Sequence, residues 1–222
     1  MDEKPILFNT DMVKAILDGR KKVTRRVVKP WLDSSKESCI EFDRMDGPVA
    51  SFYLKTSGGK ISFPLRSCKY RPGDVLWVRE TWSPMYADMK SEDVVGYLYR
   101  ADDGQNLEFY DRRFPDGKEW TWDGRWRPSI YMPKKAARIY LRVTDVRCER
   151  LHDMKAQDSL DEGVKLHLGS IIEGEDPLIP FANVWNSTIK PQDRSLYVWS
   201  ANPWVWVMEF ERIKDRGDKN DT

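Results

Sequence analysis

Apolar and polar residues follow two different periods along this chain, and the switches between them mark out its elements. Pro5 to Phe8 is a short apolar run that predicts a first strand. Met12, Val13, Ile16 and Leu17 then recur at helical spacing. Asn9 or Thr10 offers an oxygen to cap that helix, and Gly19 stands where it would end with positive φ. Phe52-Tyr53-Leu54 and Ile61-Ser62-Phe63, on either side of Gly58-Gly59, predict a hairpin. Pro72-Gly73 predicts a tight turn into Val75 to Trp82, whose β-branched and aromatic residues read as one buried barrel strand.

Val94 to Arg100 predicts a further strand. Ala137 to Arg147 predicts a long one, with Ile139, Leu141 and Val143 alternating against Arg138, Arg142 and Thr144. From Leu151 to Val164 the period is helical. Leu160 and Val164 form an i,i+4 apolar pair, Asp153 is a candidate cap, and Asp161 and Glu162 lie on another face. Pro180 to Ile189 predicts another helix and Trp204 to Ile213 the last strand. Between these elements, Ser34, Ser35 and Ser38 predict a polar loop. Residues 83–134, with Trp120, Trp122 and Trp126, predict an insertion serving as a lid or substrate-contact lobe. Lys214 to Thr222 predicts a frayed tail.

A length of 222 residues suits one elaborated domain with a full core. The 37 Lys+Arg against 36 Asp+Glu leave no global field, so any attraction for nucleic acid has to come from a local patch. Ten Trp exceed what a core of this size normally takes, which leaves some for flat contact with a base, a sugar or a partner. Trp77, Trp204 and Trp206 are predicted core. Cys39, Cys68 and Cys148 are odd in number, and His152 and His167 are the only histidines, so neither a disulfide framework nor a metal site is predicted. The start lacks the pattern of a secretory signal, and no apolar run approaches the ~18 residues of a membrane span. Together these predict a reduced, cytoplasmic, soluble protein with no membrane partner and no cofactor.

The candidate chemistry sits in Asp18-Gly19-Arg20-Lys21-Lys22-Val23-Thr24-Arg25-Arg26. A basic run after a helix is usually a solvated face. A lysine amine and a threonine hydroxyl three residues apart among arginines can also hold an anion, or pair a nucleophile with its activator. Glu80 is a carboxylate that can face the same cleft or pair with a basic neighbour.

Four blocks carry a resemblance: Gly19-Arg20-Lys21-x-x-Thr24-x-Arg26, Pro72 to Leu76, Leu141-Arg142-Val143-Thr144, and the closing Trp206-Val207 to Phe210. In this order they resemble the ASCH domain family, small β-barrels of the PUA-like superfamily. The chain is similar to the larger phage and prophage type, with its Lys-Pro-Ile-Leu-Phe start and Gly-Asp-Val-Leu-Trp-Val-Arg-Glu-Thr-Trp block. The resemblance implies an α+β fold, a PUA-like β-barrel flanked by short helices. It covers 5–30, 70–82, 136–165 and 197–213 as a single domain, with 31–69 and 83–135 inserted.

A shorter ASCH branch removes the acetyl group from N4-acetylcytidine. Its catalytic lysine falls on Lys21, its threonine on Thr24 and the following arginine on Arg26. Its glutamate, counted without a gap from Val143-Thr144, falls on Glu162. Lys22 and Arg25 depart from that branch and make the pocket mouth more basic, which suits a nucleotide phosphate or RNA. The resemblance thus implies an amidohydrolase with Lys21, Thr24 and Glu162 catalytic; beside it, the basic residues Arg20, Lys22, Arg25 and Arg26, with Glu80, are the candidates to face substrate or phosphate. Either Lys21 or Glu162 can be the base. The alternative is an RNA- or nucleotide-binding module without turnover; a third reading is a phage-encoded factor contacting a host molecule through 83–135.

Overall fold

A computed structural model describes residues 3–29, 40–56, 58–63, 67–88, 93–102, 120–165 and 176–213. The serine loop, His167 and the charged tail lie outside these residues. The strands are β1 (Glu3–Leu7), β2 (Val23–Val27), β3 (Ile40–Asp46), β4 (Val49–Thr56), β5 (Gly59–Phe63), β6 (Val75–Arg79), β7 (Trp82–Tyr86), β8 (Val94–Tyr99), β9 (Tyr140–Arg150) and β10 (Trp204–Arg212). The helices are short: α1 (Thr10–Leu17), α2 (Ala156–Asp161), α3 (Leu178–Thr188) and α4 (Arg194–Tyr197). The fold is therefore mixed α+β. Its sheets have five, three and two strands, and none closes on itself among the described residues. Closure requires the two end strands of a sheet to bond each other, whereas β1 pairs with β6 and β2 with β10.

Two compact units divide the chain. One is drawn from 20–74 and 142–211, the other from 2–19, 75–141 and 212–222. In the first, β10 lies between β9 and β2, and Val205, Trp206, Val207 and Met208 stand opposite Val27, Arg26, Arg25 and Thr24. Successive side chains of a strand point to opposite faces. Val23, Arg25 and Val27 therefore share one face of β2, and Thr24 and Arg26 the other. The first face is packed: Val23, Val205 and Val207 meet Leu151, Met154, Phe181 and Trp185 in one apolar cluster. In the segment expected as the first insertion, β3, β4 and β5 form an antiparallel sheet, with Gly59 at φ +126° in its hairpin. Phe42 and Phe52 bring their rings within 5.4 and 5.3 Å of Trp204. Trp206 is buried and Trp204 half-buried.

In the second unit β1 runs parallel to β6, and α1 buries Val13, Ala15 and Ile16. Asn9 Oδ1 accepts from the Met12 amide at 2.9 Å, the expected cap. Asn9→Ala removes that acceptor and lowers the unfolding free energy by about 1 kcal/mol, measurable as a lower urea midpoint. β7 and β8 form a hairpin whose Trp82 packs with Met132 and Ala136, and Trp77 is buried. Trp120 is buried, and Trp122 Nε1 donates to Ser83 Oγ at 2.7 Å, so these tryptophans pack the unit that carries them.

Three expectations are corrected. The run from Val75 to Trp82 is two strands, not one. The Glu80 amide donates to Met132 Sδ at 3.2 Å rather than to a strand partner, and its carboxylate accepts from Arg138, so the ladder breaks there. The long strand begins at Tyr140 rather than Ala137, because the Ala137 amide closes a 3-10 turn onto Lys134 O. Leu151 to Val164 is a 3-10 turn followed by the six-residue α2, not a continuous helix. Asp153 accepts from the Arg150 amide and closes the first of these turns; Asp158 accepts from the Lys155 amide at the start of α2. Among the described residues no helix is long and apolar enough to cross a membrane.

Candidate active site

The first unit gathers most of the predicted site. Past Gly19, at φ +73°, the chain runs extended into β2. The Lys22 backbone is held on both sides: its amide donates to Asp161 O at 2.7 Å, and its carbonyl accepts from Phe210 N at 2.9 Å. Arg20 reaches the same turn after α2, donating to Gly163 O at 2.6 Å. This double anchorage sets Lys21 beside the end of α2, where Glu162 caps the helix with its amide on Asp158 O.

Lys21 Nζ donates to Glu162 Oε2 at 2.6 Å, to Glu162 O at 2.9 Å and to Val23 O at 2.9 Å. These three acceptors match the three N–H bonds of an ammonium, so the protonated amine is fully bonded. The partners are 141 residues apart in sequence, and the side chains are 0% and 5% exposed. Removing both charges from water is costly, and the short contact with its extra hydrogen bonds offsets that penalty. Burial lowers the pKa of Lys21 below its ordinary value. Glu162 opposes the shift, while the like charges of Arg26 and Arg25 add to it.

Arg25, expected at the substrate phosphate, is turned inward. Its side chain is 0% exposed, with NH2 at 2.8 Å from Glu149 and 3.4 Å from Asp158, and NH1 at 3.4 Å from Glu162. This geometry directs Arg25 to internal carboxylates rather than to an external anion. Glu149 and Asp158 had no part in the sequence-based site. Asp158 is legible afterwards, because i and i+4 share a helix face with Glu162; Glu149 is brought in by β9 pairing alone.

Thr24 is 2% exposed on the opposite face of β2 from Arg25, and its hydroxyl bonds no described residue. Arg26 shares that face, is exposed, and lies within electrostatic reach of Glu162 and the half-buried Tyr70. Lys22 is exposed. The basic stretch is thus split: Lys21, Thr24 and Arg25 are buried, and Lys22 and Arg26 meet solvent. Glu80 belongs to the second unit, where Arg138 engages both its oxygens at 2.9 and 3.0 Å. Burial raises the pKa of the Glu80 carboxyl, and the bonds from Arg138 oppose this.

Burial also pushes the Cys148 thiol up to about 12, which leaves it protonated at neutral pH and unsuited to act as a nucleophile. Among the described residues no group of three or more His, Cys, Asp or Glu is placed to hold a metal ion. A scan against models of protein families, a search of curated proteins and a search of solved structures returned no match to this chain.

Proposed function

We propose that this chain is an amidohydrolase of the PUA-like ASCH type, acting on N4-acetylcytidine or a related acylated nucleoside or nucleotide. The observation that carries this reading is the buried Lys21–Glu162 pair at 2.6 Å, three residues before a buried threonine. Amide hydrolysis requires a nucleophile, an acceptor for its proton and a counter-charge for the oxyanion.

In this reading Thr24 Oγ1 attacks the acyl carbonyl carbon, and Lys21 as the neutral amine takes the hydroxyl proton. The tetrahedral oxyanion collapses and the C–N bond breaks. The proton passes to the departing exocyclic amine, leaving the acyl group as an ester on Thr24. Water, its proton again taken by Lys21, cleaves the ester, releases the carboxylic acid and restores Thr24. Glu162 is assigned the holding role, because its two oxygens already accept from Lys21 and Arg25. Arg26, exposed on the face that carries Thr24, is assigned to the developing oxyanion, and Lys22 to a nucleotide phosphate.

The pH dependence follows from the direction of the Lys21 shift. The working form is the amine, so activity is absent below the pKa of Lys21 and complete above it. We expect kcat/KM to rise with pH and level off below 10.5, the ordinary lysine value. A rate that falls as pH rises through this range assigns the work to the ammonium and overturns the base role of Lys21.

The direct test is release of cytidine from N4-acetylcytidine, followed by chromatography, for the wild type beside Lys21→Ala, Thr24→Ala and Glu162→Ala. Turnover in the wild type and its loss in all three variants supports the reading; no turnover from the folded wild type sinks this substrate. The exposed Lys22 and Arg26 also suit a second reading, a module that grips the phosphates of RNA without turnover. RNA affinity that falls steeply with salt and is unchanged in Thr24→Ala favours that module.

A further inference from the structure

Arg25 is a buried cation that the proposed chemistry does not use directly. Its two terminal nitrogens point to carboxylates on two elements, Glu149 on β9 and Asp158 on α2, and to Glu162 just past α2. Its Nε meets no acceptor, so the side chain is held by the fork at its end. Glu149 is itself pinned: its second oxygen lies 3.2 Å from Arg147 Nε, and Arg147 NH1 reaches Glu209 on β10 at 2.5 Å and Asp145 at 3.1 Å. Glu162 is left with one oxygen on Lys21 and the other on Arg25.

We propose that Arg25 is a positioning residue, clamped by Glu149 and Asp158, that holds Glu162 divided between two cations. The consequence for catalysis rests on the amidohydrolase reading; the clamp itself does not. A guanidinium suits this task because its planar fork serves several carboxylates at once, where an ammonium is a point charge. The charged groups facing Lys21 are Glu162 past α2 and Arg25 and Arg26 on β2. Those facing Arg25 are Glu149, Asp158 and Glu162. Removing Arg25 returns the whole of Glu162 to Lys21 and deletes a like charge, and both changes strengthen the hold of Lys21 on its proton. Glu149→Gln acts in the opposite sense: a less neutralised Arg25 draws harder on Glu162.

The test is an NMR titration of the Lys21 side chain in protein labelled at lysine, with Lys21→Met used to assign the signal. Arg25→Met is expected to move the Lys21 midpoint up by about one pH unit, the low end for a neighbouring charge. Arg25→Lys, which keeps the charge but loses the fork, is expected to move the midpoint up by less than Arg25→Met, and Glu149→Gln to move it down. A folded Arg25→Met protein with an unmoved Lys21 overturns the proposal. If Arg25→Met does not fold, Glu149→Gln decides, and an unmoved midpoint there overturns it equally. The pH profile of N4-acetylcytidine turnover is followed in parallel. Lys21 midpoints that move without any wild-type turnover support the clamp and sink that substrate.

Discussion

Glu162→Ala is expected to lower the unfolding free energy by about 3–5 kcal/mol, the usual result of removing one member of a buried ion pair. The reason is the state of what remains. Lys21 and Arg25 both have side chains with 0% exposure, and neither can turn to water when its carboxylate disappears. Lys21 keeps two carbonyl acceptors, but these do not neutralise a charge. Arg25 keeps Glu149 and Asp158, so the larger part of the loss falls on Lys21. Urea unfolding measures the effect, and a midpoint unchanged from the wild type shows that the pair is not sealed. The double replacement Lys21→Met with Glu162→Leu separates structure from chemistry. Exchanging a whole buried pair for apolar residues of similar volume is often neutral or stabilising, so stability should return while turnover does not.

Thr24→Ala is expected to behave in the opposite way. Turnover falls by at least about 100-fold, the low end of what a positioned proton transfer contributes, because the hydroxyl that Lys21 would activate is gone. The fold barely notices. Thr24 is buried, but its hydroxyl bonds no described residue, so alanine leaves no polar group stranded. The expected change in unfolding free energy is within about 1 kcal/mol, well below the values reserved for stranded charges or large cavities. Thr24→Ser keeps a hydroxyl in place and should retain part of the rate. Wild-type rates in Thr24→Ala mean that water attacks directly, and Thr24 then loses its role as nucleophile. Those two outcomes together would support a holding role for Glu162 and a reacting role for Thr24.

What could be read from the sequence alone was local. The helix Thr10–Leu17, its Asn9 cap and the positive φ of Gly19 follow from residues within one or two turns of each other. The hairpin of β4 and β5 follows from Gly58-Gly59 between apolar runs. Strand alternation already implies that Thr24 and Arg25 point to opposite faces of β2. It does not say which face meets a helix, and without that the arginine next to the threonine reads as a phosphate ligand. Glu162 came from spacing in a resembling family, because no rule of local chemistry links it to a lysine 141 residues earlier.

Tertiary structure decided the rest. Pairing of β2 with β10 turned Arg25 toward the side where Glu149, Asp158 and Glu162 wait. Arg138 took Glu80 into the second unit, and the amide of Glu80 left the ladder for Met132, splitting a run that propensity alone joins. Propensity and capping are settled by neighbours in sequence. The fate of a charge is settled by which opposite charge the fold brings within about 4 Å, where Coulomb attraction competes with the loss of water. The chain by itself thus determined its helices, turns and strand faces, and only the fold determined which of its cations stayed at the surface and which became part of the core.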